Sequence, residues 1–321
     1  MPQYNRNDLE LAARNHHFTR DTFEKVLRLK TILDWMNNQE LLKDHLLLKG
    51  GTAINLTVFD LPRLSVDIDM DFFPNLPREE MFRMREAIAG EIKAYMDAEG
   101  YAFSPATRLH HSLDAFHFTY RNAAGNQDMI KIELNYSLRA HLFASTERKL
   151  LTDAFGSISA ISTVHPMEIF AAKANALLYR SAARDLYDFN QMIERDLFSD
   201  QKDLFRKSII FYASISQEQI DPSFGTAIID TLTFQKIRRD LFPVLKQEER
   251  RKAFELETRK AVAKKYIQTL MVPTEKEIEY MNRFNHKEYR PALLFDDQSV
   301  LERIADHPMA LWKCGLSVHK S

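Results

Sequence analysis

The segment GGTAINLTVFDLPRLSVDIDMDFF, residues 50 to 73, carries an aspartate at every second position near its end: Asp67, Asp69 and Asp71. This alternation with apolar residues predicts a β-strand over residues 65 to 73, with the three carboxylates on one face. Like charges repel, and a carboxylate is costly to bury unless a cation pairs with it. Two carboxylates spaced i, i+2 can bind a divalent metal ion, so the segment is a candidate metal-binding site. The alternative is the solvated face of an edge strand.

A glycine turn precedes this strand. HLLLK, residues 45 to 49, is a short apolar run typical of a buried strand, and a short helix is predicted from Thr52 to Phe59. Backbone N–H groups at the start of a helix bind anions, and glycine lets a phosphate approach closely. Gly50, Gly51 and Thr52 are therefore a candidate phosphate-binding turn, although most Gly-Gly pairs are only turns.

Two further alternating segments, residues 113 to 121 and 129 to 137, predict a β-hairpin. The second segment places Lys131, Glu133 and Asn135 on one face. Glu133 in the middle of this strand is a candidate third metal ligand. An exposed polar stripe is the alternative.

A basic line lies on the helix predicted over residues 165 to 190, where Lys173, Arg180 and Arg184 are spaced i, i+7 and i+11. If the helix is unbroken, the three side chains lie within about 20° of one line, at about 100° per residue. Such a line suits the charge of a triphosphate, and a surface stripe is the alternative. Because Lys173 lies away from the apolar face, we expect Lys173→Ala to leave the melting temperature nearly unchanged.

The composition limits the class of protein. The chain has 321 residues, a formal net charge of −1 and one cysteine, Cys314. Balanced charge creates no global field for nucleic acid or membranes, and a single cysteine excludes a disulfide framework. No apolar run approaches the roughly 20 residues of a membrane span, and the first ten residues lack a signal-peptide core. We therefore expect a cytoplasmic protein without membrane contact.

The predicted strands all lie within the first 165 residues, with helices before and after them. This order predicts an α+β fold in which a mixed sheet with flanking helices is followed by a mainly helical C-terminal region. We predict a catalytic domain over residues 1–195 and a helical region over residues 196–321 that is a candidate for binding the acceptor. The carboxylates, the glycine turn and the basic line together fit phosphoryl or nucleotidyl transfer.

In combination, these motifs resemble a known family. The segments KGGTAINL…RLSVDIDMDFF, KIELNY and HPMEIFAAKANALLYRSAARDLYDF lie within residues 45–190. They resemble the AbiEii/MenT type of nucleotidyltransferase toxins from bacterial toxin–antitoxin and phage-abortive systems. The family pattern is a GG[ST] turn, an R-x-S-x-D-I-D strand, a K-x-E strand, a helix with a lysine and an R-D-x-x-D segment, and all five occur in order. The resemblance implies a nucleotidyltransferase-type sheet.

The resemblance also implies roles for the matching positions. The implied metal ligands are Asp67, Asp69 and Glu133. The implied catalytic residues are Asp67, Asp69, Lys173, Asp185 and Asp188, of which the last two position Lys173 or the attacking hydroxyl. The predicted nucleotide-binding residues are Gly50, Gly51, Thr52, Ser65, Lys131, Arg180 and Arg184. Asp71 is an extra acid whose role is open between a third ligand and a solvated neighbour.

By the same resemblance, the protein is an enzyme that uses Mg²⁺, or Mn²⁺ in its place, to transfer a nucleotide from an NTP to an acceptor. The implied acceptor is the 3′ end of tRNA or another RNA, with growth inhibition as the outcome and a cognate antitoxin as a partner. Transfer to a protein or small molecule is one alternative. A catalytically silent binding module of the same fold is the other.

One stretch of the C-terminal region is a candidate RNA-contacting surface. Residues 236–265 contain eleven Lys or Arg against five Asp or Glu. Phosphate contacts supply much of the affinity of proteins for nucleic acid. We therefore predict that Arg238, Arg239, Arg250 and Arg251 contact RNA, with a solvated helix face as the alternative.

Overall fold

The structure is a computed structural model that describes residues 4–151, 154, 160–253 and 255–316. The chain divides into two compact units. The described residues of 1–139, 145–164 and 243–249 form the first unit, and those of 140–144, 165–242 and 250–321 form the second. Within these described ranges, no helix is both long and apolar enough to cross a membrane.

The first unit is built on an eight-stranded mixed sheet. Its strands are β1 (Leu46–Lys49), β2 (Ile68–Phe72), β3 (Ala102–Phe103), β4 (Arg108–His110), β5 (Leu113–Arg121), β6 (Gln127–Asn135), β7 (Thr146–Arg148) and β8 (Ile161–Thr163). The order is β3-β5-β6-β2-β1-β8-β7, and β4 pairs with β5 outside this path. β2 is antiparallel to β1 and parallel to β6. The aspartate strand therefore lies inside the sheet, and the edge-strand alternative is wrong.

Helices flank this sheet in the order of the chain. They are α1 (Arg6–Asn15), α2 (Arg20–Asn37), α3 (Glu40–His45), α4 (Gly50–Thr57) and α5 (Arg78–Ala98). The apolar residues of β2, Ile68 and Phe72, are fully buried, as are Ile88 and Ile92 of α5. Burial of each such side chain stabilises the fold by roughly 1.5–3 kcal/mol. The apolar face of β2 therefore packs into the core, and the opposite face carries the aspartates.

The strand predicted over residues 65 to 73 is shorter in the structure and begins at Ile68. The backbone before it is paired elsewhere, because the N–H of Leu64 donates to the carbonyl of Val244 at 2.8 Å and Arg63 forms a β-bridge with Leu245. Asp67 thus lies directly before the strand rather than within it.

The second unit is helical. Its helices are α6 (Pro166–Arg180), α7 (Ala183–Glu194), α8 (Lys202–Ser216), α9 (Phe234–Asp240), α10 (Arg250–Ala253), α11 (Leu256–Leu270), α12 (Glu275–Asn285), α13 (Gln298–Ile304) and α14 (Pro308–Lys313). The core contains fully buried phenylalanines, among them Phe170 and Phe205. A buried hydrogen bond from Asn175 Nδ2 to the carbonyl of Ile209, at 2.9 Å, ties α6 to α8.

The condition for the basic line, an unbroken helix over residues 165 to 190, is not met. α6 ends at Arg180, Ser181 has φ +46° and ψ +58°, and α7 begins two residues later. A residue in the left-handed region cannot continue a right-handed helix. Lys173 and Arg180 therefore lie on one helix and Arg184 on another, so the predicted basic line is divided.

The α+β class is confirmed, with a mixed sheet, flanking helices and a helical C-terminal region. The two compact units part after Val164. The boundary that we predicted at residue 195 falls within the second unit.

Candidate active site

Asp69 lies at the centre of the first candidate cluster, between two neighbouring strands. Its Cα pairs with that of Lys49 in β1 on one side and with that of Glu133 in β6 on the other. Residues directly opposite each other on paired strands share a face of the sheet. The sheet therefore brings Asp69 and Glu133 together, with Asp67 directly before β2.

The carboxyl group of Asp69 occupies an unfavourable place for a negative charge. Its pKa is raised to about 6, and burial is the largest cause. The Lys49 ammonium lowers this pKa, while the charges of Asp67 and Glu133 raise it. In its protonated form Asp69 can also donate a hydrogen bond to Glu133, which raises the pKa of Asp69 further. A cation bound between these carboxylates would favour the ionised form of Asp69.

Lys131 supplies a positive charge to this cluster from β6. Its Nζ lies 2.9 Å from Oε2 of Glu133. Burial lowers the pKa of Lys131, but the hydrogen bond to Glu133 and the charges of Asp67 and Asp69 outweigh burial and raise it. Lys131 is thus held in its charged form beside the carboxylates.

The donor set of this cluster suits a hard divalent cation. Asp67 and Asp69 provide carboxylate oxygens, which Mg²⁺ prefers, and their mutual repulsion is the kind that a metal ion relieves. As the side chains stand in the described part of the chain, no group of three His, Cys, Asp or Glu is arranged to hold a metal ion. Glu133, the predicted third ligand, is paired with Lys131.

The glycine turn packs directly against Asp69. Gly50 opens α4 with φ +69°, a left-handed conformation that glycine adopts without steric cost. A Cβ at this position would lie 2.6 Å from Oδ2 of Asp69. The first turn of α4, whose backbone N–H groups have no partner within the helix, therefore begins beside this carboxylate.

Thr52 holds the turn to the aspartate segment, and Ser65 packs against the turn. The Thr52 hydroxyl donates to the backbone carbonyl of Asp67, and Thr52 is only 2% exposed. A Cβ at Gly51 would lie 2.9 Å from the Oγ of Ser65. Thr52 thus links the turn to the residue before β2, and Ser65 lies against the backbone of the turn.

Arg63 is a candidate that our sequence reasoning missed. Its side chain is buried, and Nη1 donates to the carbonyl of Leu64 at 2.8 Å. Its Nη2 would lie 2.8 Å from a Cβ at Gly51, so this guanidinium also reaches the turn. The signal in the sequence is the arginine that begins the R-x-S-x-D-I-D motif.

Asp71 is a buried ion-pair partner. It is 2% exposed, and its Oδ1 accepts a charge-assisted hydrogen bond from Nζ of Lys49. The interpretation of Asp71 as a solvated neighbour is wrong, because its side chain is buried and paired with Lys49.

A second candidate cluster lies in the second unit. The Nζ of Lys173 is 2.7 Å from Oδ2 of Asp188 and 3.3 Å from Oδ1 of Asp185. Arg180 Nε donates to Oδ2 of Asp185 at 2.9 Å. Lys173 is 9% exposed and Asp188 is fully buried. The expectation that Lys173 projects away from the packed side is wrong, because the acids of α7 cover it.

Arg184, the third member of the predicted basic line, reaches a different part of the second unit. Its Nε donates to the carbonyl of Asp240, at the end of α9, at 2.9 Å. A cation at the last carbonyls of a helix is favoured by the helix dipole. Arg184 therefore has a helix-capping contact in this structure.

These features agree with one family of toxins. The model of the family described as nucleotidyl transferase AbiEii toxin, type IV toxin–antitoxin system, matches residues 32–276. The chain belongs to this family. It is a nucleotidyltransferase toxin of a type IV toxin–antitoxin system, a class that implies a cognate antitoxin as partner.

The fold of this AbiEii toxin is shared with a solved structure. MenT4, a nucleotidyltransferase toxin from Mycobacterium tuberculosis H37Rv, matches with a TM-score of 0.64 over 95% of this chain and 99% of that chain, at 16% sequence identity. At this identity the likeness shows the fold alone. A search of curated protein sequences found no match.

Lys173→Ala should destabilise the protein. The substitution removes the ammonium that contacts two buried carboxylates, and breaking a buried pair in this way costs about 3–5 kcal/mol. Chemical denaturation followed by circular dichroism measures the loss. Lys207→Ala, which removes a surface ion pair with Asp296 in the same unit, is the matched control and should cost about 0–1 kcal/mol. Equal small losses in both variants would contradict the structural role of Lys173.

Gly50→Ala should reduce both stability and nucleotide transfer. An alanine in the left-handed region costs about 1–2 kcal/mol, and its Cβ would displace the carboxylate of Asp69. Gly125→Ala separates the two effects, because Gly125 also has a positive φ, +85°, but nothing lies within 4 Å of a Cβ there. We expect similar backbone strain in the control and a loss of transfer only at Gly50. Full transfer by Gly50→Ala would show that the close approach is dispensable.

Proposed function

We propose that this AbiEii toxin transfers a nucleotide from an NTP to the 3′ end of tRNA, with Mg²⁺, or Mn²⁺ in its place, held by Asp67, Asp69 and Glu133. The observation that carries the proposal is the charge of the first cluster. It has four carboxylates and two ammonium groups, so its formal charge is −2, which one divalent cation balances. The six side chains are Asp67, Asp69, Asp71, Glu133, Lys49 and Lys131.

The chemistry of a bound Mg²⁺ suits the reaction. The metal would neutralise charge on the phosphates of the NTP and polarise a phosphoryl oxygen. Asp67 and Asp69 would hold it through oxygen ligands. Glu133 would join them once its carboxylate leaves Lys131, which then has its charge free for a phosphate.

The glycine turn is the proposed phosphate site. The N-terminal N–H groups of α4 favour an anion, and the bare Cα atoms of Gly50 and Gly51 let it approach. The Thr52 hydroxyl holds the turn in place, and Ser65 packs against it. The nucleotide would therefore bind where the turn meets Asp69.

In the proposed reaction, a hydroxyl oxygen of the acceptor bonds to the α-phosphorus of the NTP and releases its proton to water. The bond between the α- and β-phosphates breaks, pyrophosphate leaves, and the nucleotide stays on the acceptor. The family resemblance supports a role for Lys173 in neutralising the negative charge of the triphosphate. Asp185 and Asp188, which contact its ammonium, would position it.

The RNA part of the proposal rests on the resemblance and on exposed basic side chains. Within residues 236–265, Lys260 is buried and pairs with Glu257, and Lys264 pairs with Asp230. These contacts reduce the set that can reach phosphates. Among the basic side chains of this stretch whose burial the structure describes, the exposed ones are Lys236, Arg238, Arg239, Arg251 and Lys265.

Asp67→Asn and Asp69→Asn should each abolish nucleotide transfer without unfolding the protein. Losing a metal ligand removes several kcal/mol of transition-state stabilisation, about 100-fold or more in rate. Removing one charge from a repelling set need not destabilise the fold. Labelled NTPs incubated with total RNA and resolved on a gel measure transfer, and thermal melts measure folding.

Asp97→Asn, on the exposed face of α5, is the matched control and should keep full transfer. EDTA should abolish transfer by the wild-type protein. Transfer that persists in EDTA would contradict the metal assignment. Label that enters protein or a small molecule instead of RNA would favour the alternative acceptors.

Arg238→Glu combined with Arg251→Glu should raise the apparent KM for RNA and leave NTP affinity unchanged. Each lost phosphate contact lowers the salt dependence of RNA binding by roughly one unit of slope. Arg303→Glu, a reversal of an exposed arginine on α13 outside the stretch, is the control. If the double variant modifies RNA as well as the control at moderate salt, residues 236–265 are only a solvated face.

A further inference from the structure

Lys49 lies opposite one aspartate but pairs with another. In the antiparallel register of β1 and β2, the Cα of Lys49 is opposite that of Asp69, and the Cα of Leu47 is opposite that of Asp71. Directly opposite side chains are nearer than diagonal ones by about 2–3 Å between Cβ atoms. The Lys49 ammonium nevertheless pairs with Oδ1 of the diagonal carboxylate, Asp71.

The surroundings of Asp71 favour this choice. Its side chain is almost fully buried, and that of Lys49 is about one-fifth exposed. Asn135, opposite Asp71 on β6, uses its Oδ1 to accept the backbone N–H groups of Ser137 and Leu138. Lys49 on β1 thus supplies the positive charge that pairs with Asp71.

A buried ion pair of this kind is weak evidence for stability, because desolvation of the two charges offsets much of their attraction. The position of the pair is more informative. The direct ion pair of Lys49 is made with Asp71, two residues further along the strand than the carboxylate of Asp69, which faces the glycine turn.

We propose that Asp71 is a positioning residue that holds the Lys49 ammonium away from Asp69 and so keeps Asp69 available to a divalent cation. The inference rests on the proposed metal site at Asp67 and Asp69. Without the charge of Asp71, the directly opposite carboxylate of Asp69 becomes the partner of Lys49. An ammonium paired there competes with a metal ion for the same oxygens.

The test is the affinity for Mn²⁺ without nucleotide, measured by electron paramagnetic resonance of the free ion. Asp71→Asn keeps the side-chain shape and removes the charge. We expect it to weaken Mn²⁺ binding by about 10- to 100-fold, the range typical of residues that orient metal ligands. Asp71→Ser, which leaves room for a water molecule beside Lys49, should weaken binding similarly and serves if the asparagine variant does not fold.

Adding Lys49→Met to Asp71→Asn separates positioning from a merely structural role. With no ammonium to occupy Asp69, the double variant should bind Mn²⁺ about as tightly as the wild type. Asp114→Asn is the matched control, because Asp114 is a buried aspartate of the same sheet that pairs with Arg85. It should lower the melting temperature and leave Mn²⁺ affinity unchanged.

The outcomes are distinguishable. Wild-type protein that binds no Mn²⁺ would overturn the metal site and, with it, this inference. Wild-type binding with unchanged affinity in Asp71→Asn and Asp71→Ser would overturn the role of Asp71 alone. Weak binding that persists in the double variant would make Asp71 a structural residue.

Discussion

The first cluster depends on the contact between the Cα of Gly50 and the carboxylate of Asp69. The approach is so close that a single added carbon would lie 2.6 Å from Oδ2. This contact requires β1 to end directly beside β2 and α4 to begin at the next residue, Gly50, in a left-handed conformation. The antiparallel register of β1 and β2 supplies this geometry. The start of a helix, which attracts anions, therefore lies directly beside carboxylates, which attract cations.

The two clusters of charged residues differ in how their charges balance. In the second unit, Lys173 and Arg180 face Asp185 and Asp188, so two cations meet two carboxylates and most of these side chains are buried. In the first cluster, the four carboxylates outnumber the ammonium groups by two. A balanced buried cluster holds its own shape, whereas an excess of negative charge invites a cation from outside. The first cluster is therefore the better candidate to bind the metal, and the second to position a lysine.

Local pattern made much of the fold predictable. Alternation identified β2, β5 and β6, because each buries one face. The break between α6 and α7 could not be predicted, since it rests on a serine in a conformation more typical of glycine. Because of that break, α7 packs against α6, and its Asp185 and Asp188 contact Lys173. Periodicity in the sequence predicts single helices and strands, but not the contacts between them. The burial of Lys173 and the diagonal pairing of Lys49 with Asp71 arise from such contacts.

The same distinction explains how this chain can share a fold with MenT4 at 16% identity. The core positions of the sheet, such as Ile68 and Ile132, require an apolar side chain of suitable size, and several residue types meet that requirement. Few positions are constrained atom by atom. Gly50 is one, because no Cβ fits beside Asp69, and Gly51 is another, because Arg63 and Ser65 lie under 3 Å from where its Cβ would be. Sequence can therefore change widely around the site while the turn, the aspartate strand and their register remain in place.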